Sequence, residues 1–574
     1  MNSKNAIIYT ESTNCQDCYK CIRHCPVKAI QILDGHASII AEKCIMCGTC
    51  VDICPSNAKK IRDDMDILRI MLKRKEKIII SLAPSYKSEF KDISDEMLIK
   101  ALRDCGFAAV SETALGAQEV TAHVAKMLKE TKNEIIISSA CPVVVDLIKK
   151  HYPEHGSKVT DIYSPLLAHS KMIKEFYGHE YKVVFVGPCI AKKSESDQFK
   201  QYIDLVISFD ELVGLIEEKE IKISSNANKK DYFFEPQKAM EGVLYPVDGG
   251  MIAGLKDNCS VSDADYMSFS GINKIMDILD TLDEEKVNKN LFLELLACDG
   301  GCVNGPCTRK SSNIAFKRRS IINNFDSNTT VTKDKPKIDI QGQRIVQPAE
   351  ISEFTQQEIA KALRSIGKYK IEDQMNCGSC GYDSCIEFAK ALLQKKAETS
   401  MCVSYMKKLA SKKANALLMS MPSGVIIVDE EKKIVESNLR FAQIAGEDIV
   451  ELFQSKPGLE GANFAKIMSI TQYLDSVLET DISIEKDIRY KNSILHIHVF
   501  PIESHCLVGV IFQDITEPST RKEHVINNAQ NVIKKNLETV QQIAYLLGEN
   551  AAESESTLNS IINSFSVDME TDND

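Results

Sequence analysis

The sequence predicts a multidomain α/β protein. A parallel-sheet body is flanked by small cysteine-rich units and followed by an α+β domain and a C-terminal helix. Three observations carry this. The chain has 574 residues, too many for one core. From Lys77 onward, short β-branched runs alternate with helical patterns: "KIIISLAP", "EMLIKALRDCGF", "AQEVTAHVAKMLKE", "EIIISS", "VVFVG", "DLVISFDELVGLIEE". That alternation is the texture of parallel strands covered by helices. Finally, the 20 cysteines concentrate in a few closely spaced motifs.

Composition narrows the function classes. The net charge of −11 gives a nucleic-acid partner no electrostatic support. The start, "MNSKNAIIYTEST", lacks a basic segment followed by an apolar one, so no signal peptide is expected. The apolar stretches are too short for a membrane span, and a cytoplasmic location is expected. Disulfides are disfavoured in a reducing cytosol, which makes metal ligation the first explanation for so many cysteines.

Residues 1–65 contain "CQDCYKCIRHCP" and "CIMCGTCVDICP", the pattern C-x2-C-x2-C-x3-C-P written twice. Three close thiolates wrap one cubane and the fourth reaches the neighbouring one. One cluster should use Cys15, Cys18, Cys21 and Cys54, the other Cys44, Cys47, Cys50 and Cys25. Structural zinc pairs two cysteines with two distant ligands and does not need the triple run. The segment resembles a bacterial two-cluster ferredoxin, which implies a ferredoxin-like 2[4Fe–4S] domain for one-electron transfer.

In the body, residues 66–325, three cysteine motifs stand at the ends of strand-like runs, where α/β folds bind ligands. "EIIISSACP" supplies Cys141, "KVVFVGPCIAKKSE" supplies Cys189, and "LFLELLACDGGC" supplies Cys298 and Cys302. Taken singly, each reads as a small buried hydrophobe. Together they suit a further [4Fe–4S] cluster, with Gly300 and Gly301 allowing close backbone approach. The three motifs, at 138–142, 187–195 and 294–302, resemble the signatures of [FeFe]-hydrogenases, and "VDGGMIAG" (247–254) resembles the glycine-rich stretch between the second and third. The resemblance spans residues 1–325 and implies an H-cluster domain. Cys141, Cys189, Cys298 and Cys302 would carry its cubane. Cys302 would also bridge to a two-iron subcluster bearing CO, cyanide and a dithiolate. Lys192 would match the lysine that hydrogen-bonds a cyanide ligand, a buried anion needing a charged donor; a solvated surface lysine is the plainer alternative.

The sequence departs from the catalytic pattern at the proton path. Catalytic members carry a second cysteine where this chain has Ala140, and acids where it has Val124 and Met127. His123 and Glu119 are near, but read as a solvated helix face. Gly187 and Leu296 stand where methionines are usual, Asp299 follows Cys298, and "VNGPCT" follows Cys302. General acid–base help is worth roughly 10²–10⁴-fold, so slow turnover is expected. Cys105, Cys259 and Cys307 read as plain buried thiols.

Residues 326–408 comprise a polar linker or edge of the body (about Asn323 to Gln347), a helical pattern, and "CGSCGYDSCIEFAKALLQKKAETSMC". Its Cys377, Cys380, Cys385 and Cys402 resemble the small [4Fe–4S] domain of corrinoid iron–sulfur proteins. Zinc is the rival, since the set occurs once. Residues 409–518, with the hairpin "GVIIVDEEKKIVESN", later strands and "DIT" (Asp514 to Thr516), resemble a PAS sensory domain. His496 and His498 share a strand face and read as packing or solvent-facing, with heme or metal binding the alternative. Cys506 has no assigned role. In residues 519–574, Ile526, Ala529, Ile533, Asn536, Val540, Ile543 and Leu547 fit an a/d heptad, against an ordinary docked helix. His524 suggests phosphotransfer, but no kinase ATP-binding region is recognisable.

The resemblance implies three functions. The first is a sensory [FeFe]-hydrogenase that binds or slowly oxidises H2 and relays redox state through four [4Fe–4S] clusters, by way of a helix over 386–420, to the PAS domain. The second is a working ferredoxin-linked hydrogenase with another proton route. The third is an electron-transfer or scaffold protein without the two-iron unit. Implied partners are H2, ferredoxin or a similar redox carrier, maturation factors, a separate kinase or phosphatase as output, and a second copy through the PAS domain and C-terminal helix.

Overall fold

The fold is that of a computed structural model describing residues 6–33, 35–223, 232–258, 264–284, 286–309, 313–325, 336–342, 344–350, 352–491, 493–516 and 531–536. The chain divides into two units. One comprises residues 1–363 and 374–398, the other 364–373 and 399–574.

In the first unit the N-terminal residues form two short antiparallel pairs, Ile8–Thr10 with Lys59–Ile61 and Ile30–Leu33 with His36–Ile39. The body holds two parallel sheets. In the first, the order is Ala109–Glu112, Ile78–Leu82, Lys182–Val186, Leu205–Ile207. Its register sets Ile80 against both Val110 and Val184. In the second, Asn290–Leu296 lies between Ala264–Ser270 and Ile135–Ile137. Parallel strands are covered on both faces, which is why they read as unbroken apolar runs; all of Ile78–Leu82 is buried. Polar caps start the covering helices. Ser208 and Glu211 form a reciprocal capping box on Phe209–Glu218, and Ser164 caps Pro165–Tyr177.

Two covering helices, Ala114–Glu130 and Pro165–Tyr177, touch backbone to backbone at Gly116. A Cβ there would lie 2.2 Å from the Pro165 carbonyl oxygen and 2.6 Å from the His169 nitrogen. His169 is wholly buried below this contact, between Ser81 and Ser111 hydroxyls at 2.8 and 2.9 Å.

The expected polar linker behaves as an edge of the body where it is described. Ile340 is fully buried, and its carbonyl accepts from the Tyr163 amide. Lys337 and Ile338 amides bond to the Glu119 carboxylate, and His123 bonds to the Ile338 carbonyl. This corrects the expected solvated helix face: Glu119 is buried, and the crossing segment uses the polar atoms of both residues.

The second unit contains helix Val403–Ser420 and a five-stranded antiparallel sheet in the order Ile434–Ser437, Gly424–Asp429, Leu507–Asp514, Ser493–Glu503, Ile484–Tyr490. Phe441, Phe464 and Phe512 pack in its core. The expected hairpin forms across Asp429–Lys433. The expected single helix over 386–420 is broken. Cys385–Leu393 ends where Lys395 turns left-handed (φ 57°) and the Lys396 amide bonds back to the Ala391 carbonyl; a new helix begins at Val403. Of the heptad positions, Ile533 and Asn536 fall in the described helical stretch 531–536. His524, Ile526, Ala529, Val540, Ile543 and Leu547 lie outside the described residues, as does Cys259.

The Gly116 contact is testable. Gly116→Ala forces the two helices apart, and overpacking of this kind costs about 1–3 kcal/mol. The melting midpoint of the α/β body should fall, while that of the antiparallel-sheet unit stays put in the same calorimetric scan.

Candidate metal and hydrogen site

Strand ends place the cysteines. Ile135–Ile137 leads to Cys141, which precedes helix Pro142–His151; Lys182–Val186 leads to Cys189; Asn290–Leu296 leads to Cys298 and Cys302. The four sulfurs converge. Cys298 lies within electrostatic range of Cys302, Cys189 and Cys141, and Cys302 within range of Cys141 and Cys189. Burial pushes the Cys189 thiol up to about 11, and burial with neighbouring thiols raises Cys298 and Cys302 well above the ordinary thiol value. Gly301 sits where a Cβ would be 2.3 Å from the Pro246 carbonyl oxygen, so this glycine is required by a backbone crossing.

All four cysteines line one cavity of about 100 Å³. Among the described residues lining it, Lys192 is the one charged side chain. The alternative of a solvated surface lysine fails: Lys192 is 8% exposed, and its ammonium bonds to Glu195 Oε2 (2.7 Å) and Ser164 Oγ (2.9 Å). Ser85 also lines the cavity, and its buried hydroxyl has no hydrogen-bond partner. Four convergent thiols suit an iron–sulfur group, and a buried ammonium with an unmatched hydroxyl suits polar, anionic ligands on the adjoining metal. The residues present therefore fit the cubane with its two-iron extension.

Apart from Thr113 and Tyr245, the rest of the wall is apolar. Ala140, expected from the resemblance to stand where catalytic members carry a cysteine, lines the cavity, as does Leu296. At Gly187 the space for a side chain is filled by the Phe185 ring, whose Cζ lies 2.5 Å from where a Cβ would be. Asp299 turns outward, beside Lys274 at 3.7 Å. Cys307 is buried and its amide bonds to the Pro188 carbonyl; Cys105 is buried and Cys506 exposed.

Sequence reasoning missed Glu294 and Glu112. Glu294 accepts from the Met251 and Ile252 amides, within electrostatic range of Cys302, and burial pushes its carboxyl up to about 7. Glu112 accepts from the Ala239 amide, and burial, with Asp95 adding, pushes it up to about 7 against the pull of Lys238 and Lys87. A charged letter inside an apolar strand was the available signal.

The N-terminal cysteines fall into two groups. Cys21 lies in range of Cys15, Cys18 and Cys54, and Cys50 in range of Cys25, Cys44 and Cys47. The second group adjoins the cavity site: Cys298 is in range of Cys47, and Gly48 packs directly on Pro306 and Ile190. Cys377, Cys380 and Cys385 lie in the first unit, where the Asn376 side chain holds the Cys385 amide at 2.8 Å and Tyr382 is buried in range of Cys380 and Cys25. Cys402 heads helix Val403–Ser420 in the second unit. His496 pairs with Asp487 at 2.6 Å, and His498 is half-buried beside Phe500.

Parallel strands ending in four buried thiols define an iron–sulfur site of the hydrogenase type. Residues 76–306 match the family "Iron only hydrogenase large subunit, C-terminal domain", residues 7–55 the "4Fe-4S dicluster domain", and residues 373–404 an Fe–S cluster family. The chain carries an iron-only hydrogenase domain preceded by a dicluster domain. Iron hydrogenase 1 of Clostridium pasteurianum is 24% identical over 409 residues, 58% of this chain and 71% of that one. A subunit of the NADP-reducing hydrogenase of Solidesulfovibrio fructosivorans is 23% identical over 297 residues, 43% of this chain and 50% of that one. A solved apo [FeFe]-hydrogenase of Chlamydomonas reinhardtii is 18% identical, covering 45% of this chain and 86% of that one at a TM-score of 0.36. In the described residues, no helix is long and apolar enough to cross a membrane.

Glu112 gives a pH prediction. A carboxyl with a folded value near 7 and an unfolded value near 4.3 keeps its proton longer in the native state, so its contribution is full below about pH 4 and lost as pH rises through about 7, on the order of 3 kcal/mol. Glu112→Gln removes this contribution. Its melting midpoint should fall less than that of the wild type between about pH 5 and about pH 8; equal falls would show that Glu112 does not hold the proton.

Proposed function

We propose that the protein is a sensory [FeFe]-hydrogenase that binds or slowly oxidises H2. The observation that carries this reading is a four-thiol cavity with Lys192 in its wall and Ala140 where a proton carrier would stand. Cys141, Cys189, Cys298 and Cys302 would hold the cubane, with Cys302 also bridging to the two-iron unit. When bound, that unit supplies heterolytic H2 chemistry. The chain's own contribution is to exclude water with Ala140, Phe185, Leu296 and the surrounding prolines, to present the Lys192 ammonium to an anionic ligand, and to withhold a proton exit at position 140. Loss of general acid–base help slows turnover by roughly 10²–10⁴-fold, which suits detection better than flux.

Four [4Fe–4S] clusters are proposed: two on the N-terminal cysteines, one in the cavity site, and one on Cys377, Cys380, Cys385 and Cys402. A ferredoxin or similar one-electron carrier fits the dicluster domain. Residues 409–518 are read as a PAS domain. The support is a hairpin at one edge of a five-stranded antiparallel sheet, preceded by helix Val403–Ser420. The output partner would be a separate kinase or phosphatase.

The competing reading, a working hydrogenase, is favoured by Glu294, a buried carboxyl near Cys302 able to hold a proton near neutral pH. Two experiments separate them. Infrared spectra of the full chain loaded with the two-iron complex should show CO and cyanide bands that change under H2 while turnover stays low; loading without bands, or high turnover, sinks the sensory reading. Ala140→Cys should raise H2 turnover by about 10²-fold or more, and an unchanged rate would show that position 140 is not what limits it.

A further inference from the structure

A chain of buried charges leads away from the cavity through Lys192. The ammonium has three donors. Two are engaged, by Ser164 Oγ at 2.9 Å and Glu195 Oε2 at 2.7 Å. One is left for the cavity that Lys192 lines. Ser164 also donates to Glu195 Oε2 at 3.0 Å. The other carboxylate oxygen of Glu195 faces Arg344 Nη1 at 3.9 Å, an ionic contact rather than a hydrogen bond. Arg344 is held from the far side, its Nη2 donating to Asp146 Oδ2 (3.2 Å) and Ser194 Oγ (3.1 Å), and Lys149 donates to its carbonyl. Glu195 is 1% exposed, Asp146 2% and Arg344 7%, so water screens none of these charges well.

We propose that Arg344 is a positioning residue for Lys192, acting through Glu195. The inference rests on the reading that Lys192 faces an anionic ligand of the two-iron unit. Glu195 alone would make a closed pair with Lys192 and draw the ammonium out of the cavity wall. Arg344 takes a share of the Glu195 charge and leaves Lys192 with charge and one donor to offer. Arg344 lies beyond residues 76–306, which match the hydrogenase family. It arrives on the segment that crosses the body through Ile340 and Gly342, whose amide bonds to the Asp161 carbonyl. This segment thereby becomes part of the site.

The test is infrared spectroscopy of the full-length protein loaded with a synthetic two-iron complex. Arg344→Gln should shift the cyanide bands to lower frequency, as a weakened donor to cyanide nitrogen does, and Arg344→Lys should return them toward the wild-type positions. A structural role alone would lower the melting midpoint and leave the bands of the loaded protein where they are, and that result overturns the proposal. If Arg344→Gln does not fold, Asp146→Asn decides. It removes the carboxylate that competes with Glu195 for Arg344, so Arg344 takes more of the Glu195 charge and the cyanide bands should move to higher frequency; unmoved bands again overturn the proposal. Absence of any cyanide band in the loaded wild type is a different failure. It removes the two-iron reading itself, and the role of Arg344 falls with it.

Discussion

The first unit depends on one constraint: cysteine sulfurs buried against one another. Removal from water makes a lone thiolate unfavourable, and each further thiol nearby makes it worse; Cys189, Cys298 and Cys302 are all raised for this reason. Such a site is stable as thiolate only with a cation among the sulfurs, so folding and metal binding are coupled. The strands serve this constraint. Side by side and parallel, they deliver Cys141 and Cys298 to one end of the same sheet, and Cys189 arrives from the end of the other.

The same economy explains how the dicluster domain is attached. Gly48, in the loop between Cys47 and Cys50, packs on Pro306 and Ile190, which flank Cys307 and Cys189 in sequence. A side chain at 48 would separate the second cysteine group from the cavity site. Electron transfer falls steeply with separation, and a glycine at this crossing lets the two sites approach, while Lys150, on the helix that follows Cys141, donates to the Cys44 carbonyl at 2.7 Å. Cys298 lying in range of Cys47 is the consequence.

Much of this was legible in the sequence, for different reasons in different places. The N-terminal ligand groups could be assigned because C-x2-C-x2-C-x3-C-P admits one crossover, and the sheets because β-branched runs such as "KIIISLAP" cannot be solvated on either face. The burial of Lys192 was open: Glu195 lies three residues along the same helix, but Ser164 comes from another element that only folding brings to it. Glu119 and His123 misled because helical periodicity sees one helix. It cannot see a segment more than 200 residues later, at Lys337 and Ile338, that uses their polar atoms. The broken helix after Leu393 had no proline or glycine to mark it; its stop is a lysine in a left-handed turn.

That crossing segment also bears on how protons can move. A proton leaving the cavity needs a group that can both accept and release one. Among the described lining residues, Thr113 is tied to Ser81, Tyr245 to Thr121, and Lys192 to Glu195 and Ser164. Ser85 alone has a buried hydroxyl without a partner. On the helix where acids would be expected, Val124 is fully buried, and the polar groups one turn away are committed to the backbone of residues 337 and 338. Around Ala140 the apolar wall and the crossing segment thus leave few polar atoms on this side of the cavity free to pass a proton.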